Sequence, residues 1–338
     1  MAKKKVKSTG LLKRPRTITG KSLSTIPKSL KPQHTRQIIR RFHILQKNRH
    51  SILARLRKLN KEIDIDTYKD QLNDNEKVIY TEYFEKFVLP KNYSELEVYK
   101  IDDSLSDRDL IKTLARIDAE IKQRGGIEAY QSASTQGQTT KRGGDSSKRL
   151  IDWLQEEPYS KKLSNINALE IGCLSPYNVI STSGIFHDIV RIDLNSQDPL
   201  IIEENFMERP LPKNNEERFN LISCSLVINF VPSHQERGEM LIRMTKFLKK
   251  PINGCMSSLF LVLPLPCITN SRYFDNKLLL EIMSSLGFEK TCYYEAKKVA
   301  YWLFDWNGKS EGINKRMKFP KKNMYAGSSR NNFCITIE

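Results

Sequence analysis

Apolar residues recur at helical spacing in the first third of the chain. From Thr35 onward they follow one another at steps of four and three, with Arg49 in the one gap, and predict a long amphipathic helix. The apolar positions are Ile38, Phe42, Leu45, Ile52, Leu56 and Leu59. This stripe is typical of a packing surface, whereas the arginines around it are candidates for contacts with a polyanion such as RNA.

Two further helices are predicted before the pattern changes. One covers residues 74–88. The other begins at the capping box formed by Ser106 and Asp109 and ends at Gly125-Gly126. Residues 34–130 are therefore predicted to form a helical domain.

Strand and helix patterns alternate in the second half of the chain. The predicted strands are Ala168–Cys173, Ile189–Leu194, Asn220–Leu226 and Ser258–Leu265, and the predicted helices are Ser233–Lys249 and Asp275–Leu286. The near-continuous apolar runs are typical of parallel strands that are buried on both faces. Three later strand patterns are Cys292–Ala296, Val299–Phe304 and Phe333–Ile337. No full helix separates these three, so they are expected to pair antiparallel.

This alternation predicts an α/β domain over residues 149–338. Its Rossmann-like sheet is parallel and ends in an antiparallel C-terminal hairpin, which is the outline of the class I methyltransferase fold. A polar stretch, residues 131–148, precedes this domain and is rich in Gly and Ser. That composition fits a flexible linker and a lid over the substrate equally well.

Charge is distributed very unevenly along the 338 residues. The net charge is +17, and residues 1–61 hold nineteen Lys or Arg and no Asp or Glu. The remaining 277 residues carry 37 basic and 39 acidic side chains. Residues 1–33 lack the apolar content of a core and are predicted to be a disordered basic arm. Such an arm favours binding to phosphate, nuclear import, or both, over a role in solubility alone. The basic loop Lys315–Lys322 is a second candidate for phosphate contact.

Composition also excludes several classes of protein. The sequence has no run of eighteen apolar residues, so no membrane span is expected. The six cysteines form no Cys-x-x-Cys pair and the five histidines show no ligand spacing, so no metal site is expected. Cysteines within apolar runs are typical of buried, reduced thiols in the cytosol or nucleus.

The first strand of the α/β domain carries the candidate cofactor site. It ends on Glu170-Ile-Gly172, and the next strand ends on Asp193 about twenty residues later. A single glycine followed by a polar turn provides no cradle for a pyrophosphate, which argues against NAD and FAD. Glu170 suits a cofactor that carries an ammonium and a sulfonium, as S-adenosylmethionine does. Asp193 is placed to accept hydrogen bonds from both ribose hydroxyls.

Two later segments are expected to complete the site. Asn205 and Phe206 follow the position at which a third strand should end, where a polar side chain can bind the adenine edge and an aromatic ring can stack on its face. Asn229 and Phe230 follow the fourth predicted strand, and they either hold the acceptor base or only shape the turn.

Several motifs together resemble one known family. They are Trp153, Leu169-Glu-Ile-Gly172, Arg191-Ile-Asp-Leu194, Asn205-Phe-Met-Glu-Arg-Pro-Leu-Pro212, Asn220-Leu-Ile-Ser-Cys-Ser-Leu-Val-Ile-Asn-Phe-Val-Pro232 and Arg237-Gly238. The set is similar to the fungal 25S rRNA adenine-N1 methyltransferases, from about residue 35 to the C-terminus. This resemblance implies S-adenosylmethionine as cofactor, bound through Gly172 and Asp193. It also implies 1-methyladenosine in large-subunit rRNA as product and a nucleolar location, with rRNA or a pre-ribosomal particle as partner. Cys173 and Asn205 stand where many class I enzymes carry Gly and Asp.

An alternative function comes from an animal branch of the same family, whose members sense S-adenosylmethionine without catalysis and bind a protein partner. The uncompensated charge of residues 1–61 favours the RNA enzyme. Adenine N1 has an in-plane lone pair and can attack a methyl group directly, so no general base is predicted and catalysis is expected to rest on alignment. Asn229 is the candidate orienting residue.

Overall fold

The computed structural model describes residues 32–58, 63, 67–90, 99, 101, 104–137, 144–196, 198–251, 255–309 and 317–338. Almost all of the predicted arm lies outside these ranges, as do Leu59, Lys315 and Arg316. The described residues form a helical unit followed by an α/β domain.

Within the described residues, the helical unit consists of five helices. They are α1 (Pro32–Lys58), α2 (Tyr68–Gln71), α3 (Asp74–Glu85), α4 (Asp107–Gln123) and α5 (Gly126–Gly137). The predicted apolar stripe of α1 packs on α4, with Leu45, Ile52 and Leu56 fully buried. The Ser106 hydroxyl accepts a hydrogen bond from the Asp109 amide at 3.3 Å, so the predicted cap of α4 is confirmed. Gly125, with φ +90°, follows the end of this helix as expected.

A buried ion pair fastens α1 to α4. The Arg41 guanidinium donates from Nε and Nη2 to the two oxygens of Glu120 at 2.6 and 2.7 Å, and both side chains are almost wholly inaccessible. Arg41 is therefore a packing residue, which corrects the expectation that the arginines around the stripe face RNA. Arg36 and Arg40 on the same helix are exposed and keep that role as candidates.

Helix α5 changes the predicted boundary between the two units. It runs to Gly137, so the first seven residues of the expected linker or lid are helical. Its early residues pack on α1, where the rings of Phe42 and Tyr130 are stacked with centroids 4.6 Å apart. This tertiary packing outweighs the polar composition that suggested a loop. Residues 138–143 lie outside the described ranges.

The α/β domain contains a seven-stranded sheet. Its elements are α6 (Ser147–Gln155), β1 (Asn167–Ile171), α7 (Val179–Thr182), β2 (Asp188–Asp193), β3 (Ile202–Glu203), β4 (Leu221–Ser225), α8 (His234–Phe247), β5 (Ser258–Pro264), α9 (Pro266–Thr269), α10 (Asn276–Ser285), β6 (Phe288–Glu295) and β7 (Val299–Trp306). The strand order is β3-β2-β1-β4-β5-β7-β6. The first five strands are parallel, and β7 pairs antiparallel with β5 and with β6. The predicted parallel sheet with an antiparallel hairpin is therefore confirmed.

The last predicted strand is wrong. Residues 333–337 form no strand, although Phe333, Cys334, Ile335 and Ile337 are buried. The segment instead runs along α8, and the Thr336 amide donates to the His234 carbonyl at 3.1 Å. The near-continuous apolar run predicted burial correctly, but burial against a helix satisfies the same pattern as burial in a sheet.

The helical unit lies over the carboxyl ends of the sheet strands. The His43 ring from α1 is stacked on Phe230, which follows β4. His50, two turns later, approaches Glu236 of α8, with Nε2 3.8 Å from Oε1. From α5, the Gln131 amide donates to the carbonyl of Asn195, just after β2. Helices α1 and α5 thus cover the carboxyl ends of β2 and β4.

Candidate functional site

The sheet order reverses between β1 and β4. The chain proceeds from β1 to β2 and β3 on one side, and then returns to β4 and β5 on the other. At such a switch point the loops after two neighbouring strands diverge and leave a crevice at their carboxyl ends. In this sheet, Gly172 follows β1 and residues 226–231 follow β4 on the two sides of that crevice.

Gly172 is required at its position for two local reasons. Its φ of +76° is left-handed, and an added Cβ would lie 2.4 Å from Cγ2 of Val227. Its amide donates to the carbonyl of Ile192 at 2.8 Å, which ties the end of β1 to β2. The glycine therefore brings the loop after β1 close to the loop after β4.

Glu170 is a buried carboxylate that uses only one of its two oxygens in the hydrogen bonds of the described residues. Its Oε1 accepts a hydrogen bond from the Asn178 amide at 2.8 Å. Its Oε2 is buried and has no hydrogen-bond partner among the described residues. Burial raises the pKa of this carboxyl, and the hydrogen bond from Asn178 offsets the rise only in part. An unpaired buried oxygen is costly unless a ligand supplies a donor or a positive charge.

Asp193 stands at the tip of β2, facing the helical unit. Its Oδ1 accepts from the Asn195 amide at 2.9 Å, which fixes the carboxylate in its turn. Burial raises the pKa of Asp193, and the charge of Glu203 on β3 raises it further. The field of Asp193 in turn contributes to the raised pKa of Tyr130 on α5. The carboxylate thus lies beneath the covering helix α5.

Asn205 and Phe206 are engaged within the protein. Asn205 Oδ1 accepts from the Met207 amide at 3.0 Å, and its Nδ2 donates to Glu208 at 2.8 Å. The Phe206 ring is 3 % exposed and packs against Phe247 with centroids 5.1 Å apart. The structure therefore places Phe206 in the core below the crevice rather than on its surface, and its ring contributes packing instead of an adenine-stacking face.

The loop after β4 is strained and well braced. Leu226 adopts φ +57°, which is unfavourable for a residue with a Cβ and recurs at functional sites. The Arg237 guanidinium holds the loop by donating to the carbonyls of Val231 at 2.9 Å and Pro232 at 3.2 Å. Asn229 is 8 % exposed, and its Oδ1 has no hydrogen-bond partner in the part of the chain that the structure describes. This loop therefore also carries a buried oxygen that can accept from a ligand.

The structure adds three site residues that the sequence did not single out. His43, Tyr130 and Gln131 come from the helical unit and lie over the sheet edge. Gln131 is 5 % exposed, and its Oε1 lacks a hydrogen-bond partner within the described ranges. His43 and Tyr130 stand next to apolar stripes that any buried helix would show, so no local pattern could have marked them. Only the packing of α1 and α5 on the sheet brings them to the crevice.

These features fit a nucleoside cofactor that bears positive charge. The unpaired Glu170 Oε2 lies on the strand that ends at Gly172 and can neutralise a cationic group. Asp193 and the unpaired Gln131 Oε1 can bind hydroxyl groups at the end of β2. Within the described residues no group of three or more His, Cys, Asp or Glu could hold a metal ion. No described helix has both the length and the apolar content to cross a membrane.

The strand order and the switch-point crevice define a protein with the class I methyltransferase fold. A family model described as 25S rRNA (adenine(2142)-N(1))-methyltransferase, Bmt2, matches residues 115–335. The 25S rRNA (adenine(2142)-N(1))-methyltransferase of Saccharomyces cerevisiae is 36 % identical over 349 aligned residues, which cover 95 % of this chain and 98 % of that protein. The 25S rRNA adenine-N(1) methyltransferase of Schizosaccharomyces pombe is 42 % identical over 229 residues, which cover 67 % of this chain and 82 % of that one. The chain belongs to this family of 25S rRNA adenine-N1 methyltransferases.

Solved structures are more distant. The 16S rRNA methylase RmtB is 14 % identical with a TM-score of 0.36, and the match covers 78 % of this chain and 98 % of RmtB. The N-methyltransferase NodS from Bradyrhizobium japonicum, in complex with S-adenosyl-L-homocysteine, is 11 % identical with a TM-score of 0.35, covering 50 % of this chain and 91 % of NodS. Family membership rests on the sequence relatives, and it confirms the predicted family and the prediction that the chain is a methyltransferase.

Proposed function

We propose that this protein transfers a methyl group from S-adenosylmethionine to N1 of an adenosine in large-subunit rRNA. The observation that carries the proposal is the family match over residues 115–335, because this range contains the whole crevice from Glu170 to Phe230. The nucleolus is the proposed location, and the substrate is rRNA, free or within a pre-ribosomal particle. The basic residues 1–61 and the exposed Arg36 and Arg40 support an RNA partner through their charge.

S-adenosylmethionine supplies an electrophilic methyl group on a positively charged sulfur. Glu170 would hold the cationic end of this cofactor, because its Oε2 is buried close to Gly172 and has no hydrogen-bond partner among the described residues. Asp193 would hold the ribose hydroxyls at the end of β2. Asn205 contributes to this side of the site through its turn, with Phe206 packed beneath it.

The loop after β4 orients the acceptor. Adenine N1 carries its lone pair in the ring plane, so the chain has no need to remove a proton before the attack. Asn229 Oδ1 can accept from the N6 amino group and thereby direct N1 toward the methyl group. The aligned geometry, braced by Arg237, replaces acid–base chemistry as the source of rate enhancement.

The proposal is tested by rRNA methylation in cells that lack the gene. We expect loss of one 1-methyladenosine from large-subunit rRNA, seen as loss of one primer-extension arrest. Wild-type protein should restore the arrest, and Asp193→Ala should not, because it cannot hold the ribose. Glu216→Ala, an exposed change far from the crevice, serves as the matched control and should restore it. An unchanged arrest pattern in the deleted strain would refute the enzyme and favour a cofactor sensor.

A further inference from the structure

The aromatic contact between the helical unit and the loop after β4 is unusually close. The rings of His43 and Phe230 are stacked with centroids 3.7 Å apart and an interplanar angle of 10°. The ring of Tyr130 contacts the ring of His43 in a T-shaped arrangement, with centroids 4.9 Å apart. A base that stacks on an aromatic side chain lies face to face with the ring, as the imidazole of His43 does on Phe230. The imidazole of His43 therefore occupies the position on the face of the Phe230 ring at which a stacked base would lie.

Two buried polar atoms beside this stack are left unsatisfied. Neither His43 Nε2 nor Asn229 Oδ1 has a hydrogen-bond partner in the ranges that the structure describes. Asn229 is the neighbour of Phe230 in sequence, so both atoms belong to the same small region of the site. Buried groups without partners disfavour the state that contains them. A ligand that donates a hydrogen bond to Asn229 Oδ1 and displaces His43 into water would satisfy both atoms. The stacked arrangement of His43 on Phe230 is therefore expected to open when such a ligand binds.

An adenine base matches what this region lacks. Its five-membered ring has the size and planarity of imidazole, and its N6 amino group is a donor for Asn229 Oδ1. Guanine would present the O6 acceptor at the same place, where two acceptors repel each other. Purine without the amino group would leave the Asn229 oxygen unpaired. A base that is flipped out of its RNA strand can reach such a pocket.

We propose that the target adenine takes the place of the His43 imidazole on Phe230 and donates its N6 amino group to Asn229 Oδ1. His43 is then a placeholder that moves into water when the base enters. The identity of the base rests on the proposed function, whereas the exchange of one ring for another rests on the stacking geometry. The helical unit would in this way complete the acceptor site and close it when no RNA is bound.

The charge state of His43 offers a direct readout. Burial, together with a smaller effect of the nearby charge of Lys47, lowers the pKa of His43 from 6.5 to about 3. The titratable groups that face it are Lys47 on its own helix, with Arg237 of α8 beyond, and Tyr130 on α5. The loop after β4 presents Phe230 and Asn229, which do not titrate. Release into water should return the pKa toward its ordinary value of 6.5.

The first test measures this pKa by NMR on the full chain with labelled histidine. The probe is a short adenosine oligoribonucleotide, with an oligonucleotide of purine riboside as the matched control. We expect His43 to titrate near its ordinary value only in the adenosine complex. If His43 keeps its low pKa when the adenosine oligonucleotide is bound, the ring has not moved and the proposal is wrong.

The second test uses substitutions in full-length protein. His43→Ala removes the placeholder and should strengthen binding of the adenosine oligonucleotide by about twofold to tenfold, the factor that corresponds to one aromatic pair. His43→Phe stacks without a buried polar atom and should weaken binding. His50→Ala, on the same helix but outside the stack, should leave it unchanged. Weaker binding by His43→Ala with unchanged binding by His43→Phe would identify a packing residue and overturn the proposal.

These binding tests are separate from the test of methylation. If the deleted strain keeps its rRNA methylation and yet His43 moves on adenosine binding, the proposed function fails and the base site stands. If methylation is lost and His43 stays in place, the function stands and the placeholder fails.

Discussion

Single residues at the crevice are selected for different reasons, some for the local backbone conformation and others for the binding of a ligand. Gly172 is dictated by its left-handed φ and by its contact with Val227, whether or not a cofactor is present. Glu170 has the opposite character, because its unpaired buried oxygen makes the folded chain less stable than a neutral residue would. Such a cost is expected where function, rather than folding, selects the side chain.

Glu170→Gln separates these two effects. Because burial raises the pKa of Glu170, the folded state holds a proton to higher pH than the unfolded state, and this carboxyl lowers stability as pH rises through the folded pKa. Glutamine does not titrate. In urea unfolding without ligand, the variant should therefore gain stability over wild type as the pH rises above 4.5, the ordinary pKa of this carboxyl.

The same variant should bind S-adenosylmethionine at least about tenfold more weakly by calorimetry, because a charge-assisted contact is lost. Glu216→Gln, at an exposed position, should change neither quantity. A variant that is less stable than wild type at pH 7.5, or that binds the cofactor equally well, would show that Glu170 serves packing alone.

Elements far apart in the sequence hold the loop after β4 in place. Helix α8 holds that loop through Arg237, whose Nη1 also donates to the Cys334 carbonyl at 2.8 Å. One residue later, a Cβ on Gly238 would lie 1.8 Å from the backbone oxygen of Thr336. The C-terminal segment thus approaches α8 so closely that only glycine fits.

Gly238→Ala should destabilise the protein. Alanine normally favours a helix over glycine, but here the backbone contact must open, at a cost of about 1–3 kcal/mol. Urea unfolding measures the change in the free energy of unfolding. The adjacent, exposed Glu239→Ala should stay within about 0.5 kcal/mol of wild type. A stabilised Gly238→Ala variant would mean that the C-terminal segment does not pack on α8.

At the scale of the whole molecule, the helical unit forms one wall of the crevice. Helix α1 is fixed at one side by α4, through Arg41 and Glu120, and presents His43 to the sheet on the other. Helix α5 reaches the end of β2 through Gln131. The crevice is therefore enclosed by both units rather than by the α/β domain alone.

Arg41→Ala tests the anchoring of α1. Removing one partner of a buried ion pair leaves the other charge unsatisfied, which costs about 3–5 kcal/mol. We expect a loss of up to about this size in urea unfolding, since Glu120 is fully buried and, among the described residues, keeps its contacts with Arg124 and Tyr99. Arg40→Ala, at the exposed neighbouring position, is the control. A change below about 1 kcal/mol for Arg41→Ala would show that α1 is held by its apolar stripe alone.

Much of this architecture was predictable because periodicity and caps are local properties. The stripe of α1, the Ser106 cap, the alternation of strands and helices as far as the β6–β7 hairpin, and the positions of Gly172 and Asp193 at strand ends were expected and occur. The failures have one cause. The structure of residues 131–137 and 333–337 was not predicted because both segments pack on elements that are distant in sequence, α1 for the first and α8 for the second.

The sequence by itself determined the family and the class of sheet, and it predicted the edge at which a cofactor would bind, since short motifs and hydrophobic periodicity are local properties of the chain. Only the tertiary structure decided which side chains face that edge. It buried Phe206 and Arg41, left Glu170, Gln131 and Asn229 with unpaired atoms, and placed His43 on Phe230. Such contacts depend on how α1 and α5 pack across the sheet, and no spacing along the chain encodes that packing.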